Sequence, residues 1–493
     1  MRHIATGTLG SAIEFAVIFV GAVATAPLLL SHLGLAGYGA YVGLMLLSAN
    51  RGLAVMDLGM QGALMANLPR WNGPDHADVR RRALVFGMGY FAVVGLVVST
   101  TLWLIAGAIA HWLGDGGLEL DLVPAVHIMS GTIFIQFLAM PLLAHGLAVR
   151  SFARTKVIEI VTAILHYVGV GTLAIYHAPL ATILVVPLGV AGLRFIAQGI
   201  AAWHHERQHA QPVAQQTAPV RRPLLGDAVK MFGNRVIGLT YNYMDAAIIT
   251  SSHGAAGLAT YDLSAKPAQA VNALASTGAS TVTPEVGRLQ NLRGSFDFIH
   301  RMTRYVHVPV VLATALLFGA MPLILNAWLG NPPADVSMLA QVFVLAVFPI
   351  AFNSIAGNMI AGLRLVGRAL WIPASTTALN LVLSLTLVGP LGILGVLIGT
   401  LVGNWIGLLA HVAFLARVGP LENPWNRRTF LAATTAIAAV AAYLAVPTEV
   451  TWATVAATAA IAASHGIALL WVLTTPAERA HLQAVLRRTP ADD

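Results

Sequence analysis

The feature that most constrains this chain is the placement of its positive charges. All but four of the 28 Lys and Arg residues lie near the termini or in every second segment between long apolar runs, and none lies in the segments between those. Loops on the cytoplasmic side of a membrane protein carry an excess of Lys and Arg. The pattern therefore predicts a protein that crosses a membrane many times, with both termini in the cytoplasm and an even number of spans.

The composition agrees with a membrane protein. The chain is 57% hydrophobic and only 10% charged, whereas an ordinary soluble domain carries about 25% charged residues. Its net charge of +8 is explained by the basic loops, so we expect no nucleic-acid partner. Because the chain contains no cysteine, a disulfide framework and a thiolate zinc site are excluded.

The apolar runs predict about fourteen membrane helices, because each run is long enough to span a bilayer as a helix. A transmembrane barrel would instead show shorter segments of alternating polarity. We therefore predict an all-α, polytopic fold. The predicted helices cover about 9–31, 38–67, 83–112, 122–149, 157–177, 179–204, 226–251, 257–287, 302–328, 335–363, 367–388, 392–416, 429–446 and 450–474.

The chain is predicted to contain two related lobes. The polar, Gln- and Pro-rich segment from Glu206 to Gly226 indicates a flexible cytoplasmic linker. Ser31 to Val42 (SHLGLAGYGAYV) resembles Ser252 to Leu263 (SHGAAGLATYDL), and each occupies the first outer turn of its half. So short a match also arises by chance, but its position in each half favours two lobes of the same orientation. The predicted domains are an N-lobe at 1–204, a linker at 205–225, a C-lobe at 226–417, and two further helices with a cytoplasmic tail at 418–493.

Four cations lie inside predicted spans, where each costs roughly 2.5–3.5 kcal/mol to insert. Such residues normally face a cavity or a partner, and we predict that they bind an anionic substrate. They are Arg51, Lys266, Arg235 and Arg194. A structural ion pair is the alternative for each, most directly for Lys266, because Asp262 lies four residues before it on the same helix face. Arg194 lies near a helix end and can also extend to the membrane surface.

Four acids also lie inside predicted spans: Glu14, Asp57, Asp245 and Asp262. They either balance the cations or bind a coupling H⁺ or Na⁺, and we predict a coupling or gating role for them. No cofactor is expected. His204, His205 and His209 have helical spacing but no acidic ligands nearby, so we predict no metal site. No phosphate-binding glycine loop is present, which argues against transport driven by ATP.

Three stretches together resemble a known family. Helices 1 and 2 contain APLLLSHLGLAGYGAYVGLMLLSANRGLAVMDLGMQGAL, with a G-x-x-x-Y-G turn and a later D-L-G. Helix 9 ends in LILNAWLG, and helices 11 and 12 contain ALNLVLSLTLVGPLGILGVLIGTLVGN. In this order they resemble the polysaccharide transporter branch of the multidrug/oligosaccharidyl-lipid/polysaccharide (MOP) exporter superfamily, the Wzx-type O-antigen and exopolysaccharide flippases.

The resemblance implies two six-helix lobes in a V around a cationic cavity, plus an extra helix pair. It also implies a bacterial inner-membrane transporter, not an enzyme, that moves undecaprenyl-pyrophosphate-linked oligosaccharide from the cytoplasmic to the periplasmic leaflet. Membrane lipids and the polysaccharide polymerase machinery would be its further partners. In the related lipid II flippases, cavity arginines lie on the first two helices of each lobe. Arg51 and Lys266 fall on such helices, whereas helix 1 offers only Glu14.

The chemistry of such a substrate fits the four cations inside the predicted spans. A pyrophosphate cannot cross hydrocarbon unshielded, and guanidinium groups are suited to phosphate oxygens. A lateral opening between the lobes would let the polyprenyl tail remain in lipid. A membrane potential that is negative inside assists an outward-moving anion by about 2.3 kcal/mol per charge per 100 mV. Asp57 or Glu14 would then reset the empty carrier by binding H⁺ or Na⁺.

Two other functions remain open on the sequence. A MATE-like multidrug antiporter would prefer an acidic cavity for cationic drugs, and that branch usually has twelve helices. An integral-membrane polysaccharide polymerase or ligase usually carries a large periplasmic loop. The longest outer loop predicted here, about Leu113 to Asp121, is too short for that role.

Overall fold

The chain folds into helices throughout the part that the structure describes. The structure is a computed structural model that describes residues 2–49, 51–71, 76–114, 121–148, 152–208, 220–279, 282–289, 292–333, 335–419 and 451–473, with scattered positions between 431 and 442. Within these ranges there is no strand, and eight helices are long and apolar enough to cross a membrane. The prediction of an all-α, polytopic membrane protein is confirmed.

The described residues form two compact units, Met1–Asp262 and Leu263–Asp493. The first unit holds α1 (Arg2–Leu46), α2 (Met60–Asn67), α3 (Ala77–Leu104), α4 (Ala106–Gly114), α5 (Val123–Ala148), α6 (Phe152–Ile175), α7 (Leu180–Gln208) and most of α8 (Arg221–Ala279). The second holds the end of α8 with α9 (Val282–Leu289), α10 (Leu292–Leu329), α11 (Val336–Gly362), α12 (Val366–Ala369), α13 (Trp371–Leu391), α14 (Ile393–Val418) and α15 (Trp452–Leu473).

The first unit is built around α5, which packs against α3 and α7, while α6 packs against α1 and α7. Where α3 meets α5, the buried rings of Phe91 and Phe137 stack with their centroids 6.4 Å apart. One turn further along α3, a Cβ at Gly95 would lie 2.8 Å from the Cβ of Phe137. The glycine therefore allows the two helices to approach closely, as small residues do in membrane proteins.

The second unit pairs α13 with α14 and packs α10 and α11 against their neighbours. Polar side chains join these apolar helices. The side-chain amide of Asn404 donates to the Ala346 carbonyl at 2.8 Å, and that of Asn353 donates to the Asn404 carbonyl at 3.2 Å. Such bonds between helices satisfy polar groups that would otherwise lie in hydrocarbon.

The repeated turns share one backbone conformation. Gly34 interrupts α1 with φ 69° and ψ 178°, and Gly254 interrupts α8 with φ 62° and ψ −164°. This region of φ and ψ is open to glycine and strained for other residues. Gly39 lies so close to the second turn that a Cβ on Gly39 would be 1.7 Å from the carbonyl oxygen of Ala255. Each of the two similar segments therefore contains one glycine in this conformation, at its fourth residue in the first segment and its third in the second.

Helix bounds differ from the prediction in several places; α10, for example, begins at Leu292 and not at 302. The predicted helix 83–112 is two helices, α3 and α4, which meet at Ile105. The predicted linker 205–225 is helical at both ends, because α7 continues to Gln208 and α8 begins at Arg221. Residues 209–219 and most of the predicted helix 429–446 lie outside the described residues. The predicted lobe boundaries therefore stay predictions.

Candidate functional site

The second predicted span is broken in its middle. The prediction of one continuous helix over 38–67, with Arg51 near its centre, is wrong. Helix α1 ends at Leu46, a 3₁₀ turn covers Gly52–Asp57, and α2 begins at Met60. Arg51 lies between these pieces with φ −124° and ψ −114°, outside any helical conformation. The guanidinium group therefore extends from an irregular segment of backbone.

The D-L-G motif explains how the helix restarts. One carboxylate oxygen of Asp57 accepts the backbone N–H of Gly59 at 2.8 Å, and the other accepts that of Gln61 at 3.3 Å. Asp57 thereby satisfies backbone donors that a helix start leaves without partners. Leu58 and Gly59 both have positive φ, 49° and 81°. A Cβ at Gly59 would lie 2.2 Å from the Ala228 carbonyl oxygen, so the position also needs glycine for its approach to α8.

Side chains from three other helices satisfy the broken backbone. Gln136 on α5 accepts the N–H of Ala49 at 2.9 Å, and Tyr90 on α3 donates to the carbonyl of Asp57 at 3.3 Å. Arg235 on α8 donates to the carbonyl of Ala54 at 3.1 Å. Irregular backbone is tolerated at membrane depth only where protein or water replaces its lost hydrogen bonds. The break is therefore a supported feature of the fold.

Arg235 also contacts the acid that restarts the helix. Its Nε lies 3.4 Å from Oδ1 of the fully buried Asp57, and its Nη2 donates to Oε1 of Gln61 at 3.3 Å. Because α8 begins at Arg221, Arg235 lies about 21 Å along the helix from its start. Both charged groups are thus engaged in holding the break.

A cavity of about 440 Å³ lies beside the break, within the first unit. We call it the Arg51 cavity. Its wall comes from α1, the break, α5, α6 and α7. It is lined by Glu14, Ile18, Met45, Ser48, Arg51, Gln136, Ala139, Met140, Leu143, Glu159, Thr162, Ala163, His166, Tyr167, Pro187, Val190, Ala191 and Arg194.

Two ion pairs occupy one side of this cavity. Arg194 is paired with Glu159, its Nε donating to Oε1 of that carboxylate at 2.7 Å, and Gln198 donates to the same oxygen at 2.6 Å. Arg194 is therefore engaged in an ion pair, which was one of the alternatives for this residue. Glu14 is paired with Lys156, with 2.5 Å between Nζ and Oε2. Both carboxylates that line the cavity are thus neutralised by a neighbouring cation.

The sequence prediction missed Glu159 and Lys156 as partners. The predicted helix began at 157, which left Lys156 in a basic loop and Glu159 at a helix end. In the structure α6 begins at Phe152, so both residues lie inside the helix. Their partners, Glu14 on α1 and Arg194 on α7, lie on other helices, so the spacing within α6 gives no signal for either pair.

Arg51 differs from the other cavity cation. Its side chain is exposed, and no carboxylate pairs with it in the part of the chain that the structure describes. His166, Tyr167 and Gln136 line the cavity with it. Among the described residues, the Arg51 cavity therefore has two closed ion pairs and one further guanidinium group without a compensating acid.

The remaining predicted residues lie elsewhere. Asp262 accepts a hydrogen bond from the Tyr38 hydroxyl at 2.6 Å. Asp245 is buried and hydrogen-bonded to Tyr261. Lys266 is half-buried on the part of α8 that belongs to the second unit. None of these residues lines the Arg51 cavity, and their predicted roles stay predictions.

The histidines do not assemble a metal site among the described residues, where no group of three or more His, Asp or Glu side chains is placed to hold an ion. The His204 ring contacts the Gln208 amide at 3.0 Å. His209 lies outside the described residues.

Comparisons with known proteins give a fold but no sequence family. No protein-family model matches the chain, and no curated protein sequence matches it. Among solved structures, the lipid II flippase MurJ in an inward closed conformation is similar at a TM-score of 0.66 and 12% identity, over 96% of this chain and 99% of MurJ.

Multidrug resistance MATE transporters of the MOP superfamily are also similar. An outward-facing structure matches at a TM-score of 0.59 and 13% identity, over 85% of this chain and 95% of that one. An inward-facing structure matches at 0.56 and 13%, over 84% and 94%. The chain therefore has the fold that MurJ and the MATE transporters share.

Proposed function

We propose that this protein is a flippase for undecaprenyl-pyrophosphate-linked oligosaccharide. It moves the lipid by alternating access from the cytoplasmic to the periplasmic leaflet of a bacterial inner membrane, for O-antigen or exopolysaccharide synthesis. Its basic loops and both termini face the cytoplasm. The observation that carries the proposal is the uncompensated guanidinium group of Arg51 in a cavity at a membrane-helix break.

The charge of the cavity favours an anionic cargo. Arg51 presents several N–H donors in a planar fork, which matches the oxygens of a pyrophosphate. The carboxylates of Glu14 and Glu159 are already held by Lys156 and Arg194. A cationic drug would have to displace those partners, which argues against a MATE-like antiporter. The extent of the fold match, 96% of the chain for MurJ against 85% for the outward-facing MATE transporter, also supports the flippase.

The predicted residues take different roles in this proposal. Arg51 contacts the pyrophosphate, and Arg194 is a second cation of the same cavity that the cargo reaches by competing with Glu159. Arg235 and Asp57 hold the helix break in place. Lys266 remains the proposed cation of the second lobe.

Coupling is assigned to Glu14, because it is the one member of the four predicted acids that lines the Arg51 cavity. Binding of H⁺ or Na⁺ at its carboxylate would weaken the pair with Lys156 and change the charge of the cavity. Asp57, Asp245 and Asp262 are the alternatives for a coupling or gating role. Polymerase machinery in the same membrane would receive the product.

Flipping by the purified protein tests the function. The protein is reconstituted into liposomes that contain a fluorescent polyprenyl-pyrophosphate disaccharide, and a membrane-impermeant quencher reports how much probe changes leaflet. We expect Arg51→Ala to reduce the flipping rate at least about tenfold, as loss of a charge-assisted bond predicts, and Arg51→Lys to retain part of it. Arg207→Ala is the control, because Arg207 stacks on Trp203 outside the cavity and its loss removes the same charge.

Three results would contradict the proposal. Full flipping by Arg51→Ala would remove this residue from the site. Uptake of a lipophilic cation such as tetraphenylphosphonium, with no movement of the pyrophosphate lipid, would favour the antiporter. A wild-type protein that lengthens the oligosaccharide in the same liposomes would instead favour the polymerase.

A further inference from the structure

A second cavity of the first unit lies between the start of α3 and the start of α8. It has a volume of about 1190 Å³, and we call it the α3–α8 groove. It shares no lining residue with the Arg51 cavity. It is lined by Asp78, Arg81, Arg82, Val85, Phe86, Gly89, Tyr90, Val93, Val94, Val220, Arg221 and Arg222.

One end of the groove is strongly basic. Arg81 and Arg82 come from the first two turns of α3, Arg221 and Arg222 from the first turn of α8, and all four side chains are exposed. Among the described residues of the wall the one acid is Asp78, which pairs with Arg82 at 3.0 Å. Both helices also begin here, and helix N-termini attract negative charge. This end therefore offers an excess of positive charge to a ligand.

The rest of the groove is an apolar stripe along α3. Val85, Gly89 and Val93 follow one another at intervals of four residues, which places them on one helix face. The side chains of Val85 and Val93 are both 64% exposed. From Arg82 to Val94 the helix rises about 18 Å, close to half of a hydrocarbon core that is about 30 Å thick. The stripe is therefore about one leaflet long.

The basic end is held firmly. Arg80, which is 1% exposed, uses all three guanidinium nitrogens: Nε and Nη2 donate to the Glu206 carboxylate at 2.6 and 3.0 Å, and Nη1 donates to the Trp71 carbonyl at 3.1 Å. His145 contacts the same carboxylate at 2.7 Å. These bonds fix the first turn of α3 against α5 and α7.

We propose that the α3–α8 groove binds an anionic phospholipid of the surrounding membrane. Its phosphate lies among Arg81, Arg82, Arg221 and Arg222, and one acyl chain lies along the stripe from Val85 to Val94. Basic clusters at the ends of membrane helices attract anionic headgroups. A zwitterionic lipid carries a cation that these arginines repel. The site is separate from the transport cavity and does not depend on the cargo proposed above.

Gly89 allows a change that leaves the charge of the groove untouched. A Cβ at this position would meet no atom within 4 Å. Gly89→Leu therefore introduces its Cβ without a clash and adds apolar atoms to the face that carries Val85 and Val93, and replacing glycine favours the helix. This variant tests the acyl-chain half of the site independently of the arginines.

Lipid binding by the full-length protein in detergent tests the site. Native mass spectrometry measures the affinity for dioleoyl phosphatidylglycerol and for dioleoyl phosphatidylcholine. We expect phosphatidylglycerol to bind at least about tenfold more tightly than phosphatidylcholine. The double variant Arg81→Gln, Arg222→Gln should lower the affinity for phosphatidylglycerol about 30-fold. The control double variant Arg207→Gln, Arg368→Gln removes the same charge outside the groove and is expected to change the affinity less than about threefold.

Gly89→Leu is expected to lower the affinity for phosphatidylglycerol about fivefold, because its side chain excludes methylene groups of the acyl chain from the stripe. Three results would overturn the site. The control double variant could lose as much affinity for phosphatidylglycerol as the groove double variant, or Gly89→Leu could leave that affinity unchanged. Alternatively, millimolar glycerol 1-phosphate could displace phosphatidylglycerol as well as a competing lipid does. A loss of undecaprenyl pyrophosphate binding in the groove variants, with phosphatidylglycerol unaffected, would overturn it as well. Should the arginine variant fail to fold, Gly89→Leu decides alone.

Discussion

The second and eighth spans begin alike and continue differently. Each follows a glycine with positive φ, Gly34 in α1 and Gly254 in α8. After Gly34 the helix stops at Leu46 and restarts at Met60, whereas after Gly254 the chain stays helical to Ala279. The repeated turn therefore determines how each span starts, and the residues further along decide whether it remains a helix.

The difference has a chemical consequence. When the two glycines are aligned, Arg51 corresponds to Val271, which is 1% exposed within α8. The broken copy places a cation in a cavity, and the continuous copy places a valine in a packed helix. The two spans thus share one backbone turn, and only one of them carries a charged cavity residue at this position.

The largest expected effect comes from removing the acid that restarts the broken span. Asp57→Ala removes the helix-start bonds and leaves Arg235 without its carboxylate. We expect a loss of about 3 kcal/mol in the free energy of unfolding, because breaking a buried ion pair at one partner is costly. Chemical unfolding in detergent measures it.

A double-mutant cycle sharpens that result. The double variant Asp57→Ala, Arg235→Ala should be more stable than the sum of the two single losses predicts, since the pair is coupled. Strict additivity would show that the two side chains act separately and that the pair does not hold the break.

The next effect compares the repeated turns directly. Gly34→Ala and Gly254→Ala each force a side chain into a glycine conformation, and each should cost about 2 kcal/mol. The matched control is Gly357→Ala inside α11, where a Cβ would meet no atom within 4 Å. Equal losses in thermal unfolding at both turns support the structural repeat. A loss at one turn only would break the comparison.

A smaller effect is expected where a side chain satisfies the broken backbone. Gln136→Leu removes the acceptor of the Ala49 N–H and should cost about 1 kcal/mol. Gln341→Leu in the second unit is a matched control, because it removes an amide that donates to the Phe318 carbonyl in an unbroken region. The two variants should lose similar stability. If the break matters for transport, Gln136→Leu lowers the flipping rate and Gln341→Leu does not. Identical flipping rates for both variants would contradict a role of the break in transport.

The sequence predicts the long spans well because their ends are marked by polar residues. The prediction of 122–149 corresponds to α5 at Val123–Ala148, and that of 335–363 to α11 at Val336–Gly362. The break after Leu46 was missed because the residues around Arg51 remain mostly apolar. The D-L-G signal is only three residues long, and its effect depends on contacts with α8.

The partners of the charges were harder to predict. Glu159 and Arg194 lie on different helices, so their pairing depends on how α6 packs against α7. The same holds for Arg80 and Glu206, which come from α3 and from the end of α7 that the sequence assigned to a linker. Local spacing identifies pairs within one helix, but it carries no information about which helices meet.

The affinity of undecaprenyl pyrophosphate for the purified protein tests the central claim most directly. Arg51→Ala should weaken binding at least about tenfold, because the cavity then contains only closed ion pairs, while Arg51→Lys should recover part of the loss. An affinity that is the same in wild type and Arg51→Ala would contradict the claim that this guanidinium group receives the anionic headgroup.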